Sequence, residues 1–257
     1  MFTNVRDLRI RSGSVVIDTV AISEAVNAHH FLLSVDQGSI TVNGTINASG
    51  QTGGRIDLIA NGNVTLNSGA VLSVKGTDFD NAGKGGEINL ESGTQRNGVV
   101  GTGIVSILTG STLDLSVTNK DKVVVGGVTS TVAGSSAALG KFSGTLHLRA
   151  PQTTAINNYI QINPINGTII DPSSILIEGY KLYDFNQANV VVQGGAAGLT
   201  NLAGVTIKAD ASSGTSLKGD ATAFMNNYTA MFNNLVSGNA GIMALESQGA
   251  GVVVIAP

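Results

Sequence analysis

The sequence predicts an all-β chain wound as a three-sided solenoid of stacked strands, and three observations lead there. Short runs alternate apolar and polar residues, glycines punctuate those runs, and the same arrangement recurs along the chain. "GNVTLNSGAVLSVKG" (Gly62 to Gly76) and "GIVSILTGSTLDLSV" (Gly103 to Val117) keep their apolar and glycine positions while nearly every other letter changes. Aligning Gly62 with Gly103 sets Val64 on Val105, Leu66 on Ile107, Gly69 on Gly110, Leu72 on Leu113 and Val74 on Leu115. "GSITVNGTINASG" (Gly38 to Gly50) fits the same pattern with a one-residue deletion. Ile40 and Val42 then fall on Val64 and Leu66, Gly44 on Gly69, Ile46 on Leu72, and Ala48 on Val74.

Within each run the apolar positions are two apart, which is strand periodicity with one face buried. The residues between them, Thr41, Thr65 and Ser106, are expected to face water. Asn43-Gly44 and Asn67-Ser68-Gly69 sit where the chain must turn, and Asn and Gly tolerate the left-handed backbone that sharp corners use. A third run precedes the pair: "GGRIDL", "GGEINL" and "SGTLHL" align Ile56 and Leu58 with Ile88 and Leu90, then with Leu146 and Leu148. Three strands per copy, joined at glycine corners, read as a coil of roughly two dozen residues. Stacked coils place equivalent residues about 4.8 Å apart. Each inward side chain contributes about 1.5–3 kcal/mol when fully buried, and a lone coil buries none of that face, so neighbours are obligatory. The register makes Arg55 and Glu87 same-face neighbours, with Asp57, Asn89 and His147 as the next outward row.

The chain is read as one unit over 1–257. Residues 1–37 are leading strands, 38–150 are regular coils with an insertion at 118–142, and 151–257 are irregular coils. The insertion "TNKDKVVVGGVTSTVAGSSAALGKF" predicts a hairpin about Gly126-Gly127, and shorter insertions occupy 77–84 and 94–102. Such segments usually map to one face and often carry binding. Near the end, "DATAFMNNYTAMFNNLV" spaces Phe224, Tyr228, Met231, Phe232 and Leu235 as one face of a helix over about 220–236, with Asp220 as its cap.

Composition agrees. Charged residues are 12% of the chain, about half the usual share, while glycines number 34 and tryptophan is absent. The surface must therefore be solvated by Ser, Thr, Asn, Gln and backbone. The net charge is -3 with no basic cluster, which gives no footprint for nucleic acid or an anionic membrane. With no cysteine, disulfides and thiolate metal sites are excluded. Arg6, Asp7, Arg9 and Arg11 interrupt any apolar start, so the amino terminus does not read as a signal peptide, and no run approaches the ~18 apolar residues of a membrane span.

Few residues suggest chemistry. The densest acidic group is Asp78, Asp80 and Glu87 beside Lys84, and "DFDNAG" starts like a calcium loop. Ala82 then occupies a ligand position and Asn89 stands where a bidentate Glu belongs, so no metal or other cofactor is assigned. His29 and His30 are adjacent, face opposite sides of a strand, and do not chelate jointly. "GKGG" lacks the spacing and hydroxyl of a phosphate loop, and neither a Gly-x-Ser-x-Gly elbow nor a His-Glu-x-x-His motif occurs, so no catalytic residue is assigned. Sequons at Asn43, Asn47, Asn63, Asn166 and Asn227 are what chance gives in so Asn- and Thr-rich a chain.

The stretch "GSITVNGTINASGQTGGRIDLIANGNVTLNSGAVLSVKG" with "GKGGEINLESG" resembles the repeats of filamentous-haemagglutinin-like large exoproteins, and "FSGTLHLRAPQ" and "EGYKLYDF" are similar to later segments of them. The resemblance covers about 34–117 and 143–185. It implies a right-handed parallel β-helix. It also implies an interior passenger fragment of a longer chain, exported through an outer-membrane transporter partner and displayed or released at a Gram-negative cell surface. The expected role is a non-catalytic adhesin that binds a host or neighbouring-cell receptor or glycan. Two alternatives stand beside it: a β-helix polysaccharide lyase or hydrolase, and a fibre component that self-associates end to end.

Overall fold

The computed structural model describes residues 4–18, 25–80, 85–94, 102–125, 128–131, 143–152, 160–180, 190–193, 205–208, 226, 230, 233, 235 and 251–255. Strands β1 (Val5–Ile10), β2 (Val15–Ile17) and β3 (Val26–Asn27) make a first coil. β4 (His30–Val35), β5 (Ile40–Val42) and β6 (Thr45–Asn47) make the second, and β7 (Arg55–Ala60), β8 (Val64–Leu66) and β9 (Val71–Ser73) the third. After β10 (Gly76–Asp80) come β11 (Glu87–Glu91), β12 (Val105–Ile107) and β13 (Thr112–Asp114). β14 (Val117–Val125) and β15 (Val128–Thr131) precede β16 (Thr145–Pro151), β17 (Thr168–Ile170) and β18 (Ser174–Tyr180). β19 (Val190–Gln193), β20 (Val205–Lys208) and β21 (Gly251–Ile255) follow.

Three parallel sheets run along the stack. The first has the order β1-β4-β7-β11-β16-β18-β21, the second β12-β8-β5-β2, and the third β17-β13-β9-β6-β3. Each coil visits them in turn, so the chain is a parallel β-solenoid with almost no helix among its described residues. Sequence spacing between stacked residues grows from 24 at Asn43 and Asn67 to 41 at Asn63 and Ile104 and 57 at Ser106 and Asn163. The register survives because the added residues leave as insertions between strands.

The core is the column of inward positions. Val105 stacks on Val64, Ile107 on Leu66, and Leu113 on Leu72. Ile56, Ile88 and Leu146 form one column of the first sheet, and Leu58, Leu90 and Leu148 the next. Ile40, Val42, Ile46, Val74 and Leu115 are buried with them in one cluster. Some corner glycines sit where a side chain would collide with the neighbouring coil. A Cβ on Gly86 would lie 2.3 Å from Gly54 O and 2.4 Å from Val74 Cβ, so the coils close only where the side chain is hydrogen.

Four details depart from the sequence reading. Ile40 pairs with Val64 but Ile46 with Leu72, so the earlier corner is shorter by two residues rather than one, and Gly44 stands opposite Ala70 instead of Gly69. Ser106 is covered rather than facing water, because Asn163 of the next coil donates Nδ2 to its Oγ at 2.8 Å. Asp57 and Asn89 point outward yet are buried beneath longer neighbours on the same face. The start of the 77–84 insertion is a strand: β10 lies parallel to β14, with a register shift between Asp78 and Phe79, whereas β14 pairs antiparallel with β15 as the expected hairpin. Backbone groups that a loop would leave to water go to this separate sheet instead. Of the helix expected over about 220–236, only Asn226, Ala230, Asn233 and Leu235 are among the described residues.

Candidate functional site

The outer face of the first sheet concentrates the charge. Alternation along its strands places His30, Arg55, Glu87 and Thr145 in one outward column, and Leu32, Asp57, Asn89 and His147 in the next. A third column holds Ser34, Ile59, Glu91, Arg149 and Glu178. Stacking at strand spacing brings long side chains of adjacent coils within reach of one another.

Two clusters result. In the first, Arg55 donates Nε to Asp57 Oδ2 at 2.7 Å and Nη1 to Glu87 Oε2 at 2.9 Å, while His30 Nε2 lies 3.0 Å from Asp57 Oδ2. Asn89 turns Nδ2 toward Asp57 Oδ1 at 3.4 Å. Asp57 is only 2% exposed. Burial by itself pushes its carboxyl up, but hydrogen bonds from Arg55 and His30, the Arg55 charge and Asn89 together outweigh burial, and its pKa lies below the ordinary value.

The second cluster sits two coils on, centred on β16 where the first is centred on β7. Arg149 bridges Glu91, through Nη1, and Glu178, through Nε at 3.0 Å. His147 Nε2 lies 3.0 Å from Glu178 Oε2. The Arg149 guanidinium also stands 4.4 Å from the centroid of the Tyr180 ring. Burial pulls the Arg149 pKa down, but the Glu178 hydrogen bond and the charges of Glu91 and Glu178 raise it overall. Tyr180 donates its hydroxyl to the carbonyls of Ser92 and Gly93, tying the first sheet to the turn after β11. Burial pushes its phenol up to about 12.

Each arginine is thus held between two carboxylates, and each carboxylate of the two clusters already has a cationic partner. That arrangement locks coils together; it does not leave a carboxylate aimed at open space. A comparable pair, Arg9 and Asp36, joins β1 to the residue after β4 at 2.8 Å.

Comparison with family models, curated proteins and solved structures found no match. The resemblance to large exoproteins therefore rests on the quoted residues alone.

The residues singled out from sequence are distributed as follows. Arg55 and Glu87 meet as expected. Asp57 and His147 share a row but stay apart, with Asn89 between them. Asp78 and Asp80 lie on β10, with side chains outside those described, and Glu87 is engaged by Arg55. Among the described residues no group of three His, Cys, Asp or Glu side chains is placed to hold a metal, and no helix is long and apolar enough to cross a membrane. Sequence reasoning missed Glu91, Arg149, Glu178 and Tyr180. Glu91 and Arg149 lie two residues beyond Asn89 and His147, so the same alternation that placed that row also placed them on the outer face.

Proposed function

We propose that this chain is a non-catalytic passenger segment of an exported adhesin, wound as a right-handed parallel β-helix and presented at the outer surface of a Gram-negative cell. The observation that supports it most is the unbroken parallel register of the first sheet from β1 to β18, closed on its outer face by ion pairs that link coil to coil. A stack of this kind turns chain length into reach, because each coil depends only on its neighbours. The sheet of β10, β14 and β15 stands apart from the three solenoid sheets, where a binding element on a rigid scaffold belongs. Export through an outer-membrane transporter, and a receptor or glycan on a host or neighbouring cell as ligand, are part of this reading.

The test is adhesion with and without the hairpin. Beads carrying the intact chain, or a variant with 118–142 replaced by a short Gly-Ser turn, are applied to epithelial cells, bacterial cells and a glycan array. Retention by the intact chain that drops with the replacement is the expected result. A folded intact chain retained on none of these surfaces would count against the adhesin.

A second reading, a β-helix carbohydrate-active enzyme, has Glu91 and Glu178 beside His147 as its nearest acid pair, and it requires one of them to leave Arg149. A glycan depolymerisation screen separates the two. Turnover abolished by Glu91→Gln or Glu178→Gln in a folded protein would replace the adhesin with the enzyme.

A further inference from the structure

The corner between the second and third sheets carries one column of residues, one per coil. Backbone hydrogen bonds define it. Asn43 N donates to Ile17 O, Asn67 N to Val42 O, Leu108 N to Leu66 O, and Asn166 N to Ile107 O. Asn43, Asn67, Leu108 and Asn166 therefore occupy equivalent places. The first two form an amide ladder, Asn67 Nδ2 donating to Asn43 Oδ1 at 2.7 Å. Leu108, 38% exposed, has no amide to continue it. Asn166 comes next, exposed, and its side chain makes no hydrogen bond among the described residues.

Asn166 precedes Gly167, and so has the neighbour that least hinders its chemistry. Glycine carries no Cβ to shield its nitrogen, and asparagine is among the thermolabile residues. Two other Asn-Gly pairs are described, Asn43-Gly44 and Asn61-Gly62. Asn61 is pinned by Nδ2 donating to Thr94 O at 2.7 Å, and Gly62 N donates to Gly38 O at 2.7 Å. Gly167 N is the longer of two donors on Ile107 O, at 3.2 Å, and Gly44 N lies likewise 3.2 Å from Ile17 O. The amide ladder and the half-buried placement of Asn43 distinguish that corner from the exposed, unladdered Asn166.

We propose that Asn166 is a site of spontaneous deamidation in the folded protein. The Gly167 nitrogen attacks Asn166 Cγ, a C–N bond closes a cyclic imide, and Nδ2 departs as ammonia with the proton from Gly167 N. Water then opens the imide at either carbonyl and leaves aspartate or isoaspartate. Water is the one co-reactant. Aspartate adds a negative charge to an uncharged corner. Isoaspartate adds one carbon to the backbone just before β17, which pairs Thr168 with Thr112. The corner has no slack for it: a Cβ on Gly167 would lie 2.3 Å from Ser111 Oγ and 2.6 Å from Ile107 Cγ2. Isoaspartate at this position therefore pushes β17 out of register, and the edge of the third sheet loosens as the protein ages.

The purified, folded chain is incubated at mildly alkaline pH and sampled by peptide mapping with mass spectrometry. Asn166 is expected to convert roughly two- to tenfold faster than Asn43, the factor that one ordinary hydrogen bond makes. Leu108→Asn restores the missing rung and slows Asn166. Asn67→Ala removes the existing rung and speeds Asn43. Circular dichroism checks that each variant folds. Asn43 converting as fast as Asn166 in the folded wild type overturns the proposal, as does an unchanged Asn166 rate in folded Leu108→Asn. If Leu108→Asn does not fold, the Asn67→Ala arm decides, and an unchanged Asn43 rate there overturns it.

Discussion

Arg149 reaches across a coil boundary to Glu178, Nε donating to Oε1 at 3.0 Å, from a place on β16 directly beside Glu178 on β18. The same guanidinium holds Glu91 on the opposite neighbour, β11, so one side chain links three consecutive strands of the first sheet. The pairing is partly shielded from water, which sets it apart from ordinary surface ion pairs.

Removing that link should weaken the whole stack. Arg149→Met keeps much of the apolar stem and deletes the charge, leaving Glu91 partly buried without its arginine and Glu178 with His147 alone. We expect a loss of about 2 kcal/mol, between the small value of an exposed pair and the cost of breaking a buried one. Urea unfolding at neutral pH measures it, and a midpoint unchanged from wild type would mean that the bridge contributes nothing.

Asp57 gives an acid-side signature. Its folded pKa lies below the ordinary 3.8, so its contribution is complete above that pH and fades as the pH falls through the folded value. The wild type should lose stability over that window, and Asp57→Asn, which has no proton to take up, should lose less. Melting temperatures recorded from neutral to strongly acidic pH compare the two. Parallel curves would show that Asp57 is not a source of the acid sensitivity.

Tyr180 gives the alkaline counterpart. Its phenol is pushed up from 10.0 to about 12, so the neutral form is the one the fold favours. The stabilisation is present below pH 10.0 and is lost as the pH rises through about 12. The chain has four tyrosines, so the difference in ultraviolet titration between wild type and Tyr180→Phe isolates this one. That difference should show a late-ionising phenol, and an ordinary midpoint for it would contradict the buried placement. Tyr180→Phe should also cost about 1 kcal/mol at neutral pH by freeing the Ser92 and Gly93 carbonyls.

Gly86→Ala tests how closely the coils approach. The added methyl would meet the backbone oxygen of Gly54 and the side chain of Val74. Backbone has little room to yield, so a loss of about 3 kcal/mol is expected, at the upper end of overpacking effects. The readout is the thermal midpoint; a change no larger than that of an exposed Ala substitution would mean that the coils relax apart easily.

The core is legible in the order of residues alone, and Val64 with Val105 shows why. Strand periodicity is local: a residue's side of the sheet follows from counting by two, and glycine corners restart the count. The pair Arg55 and Glu87 follows from the same count once "GGRIDL" is set against "GGEINL". The alignment slips at Asn43-Gly44 because this is a corner, where no periodicity constrains it. Ser106 reads as wet in sequence because its cover, Asn163, lies 57 residues away beyond the 118–142 insertion. Arg149 and Glu178 are harder to find because "SILIEGY" has the alternation of a coil strand but follows an irregular stretch that hides its alignment.

The sequence by itself determined which side of each strand is apolar, where corners are possible, and hence that coils must stack. These are properties of a few consecutive residues, written in alternation and in glycine. Only the tertiary structure decided which charges meet, which outward residues end up buried, and that β10 and β14 form a sheet of their own. Those outcomes depend on groups far apart in the chain, such as Tyr180 with the Ser92 carbonyl 88 residues away. Insertions of variable length set that distance without leaving any periodic mark.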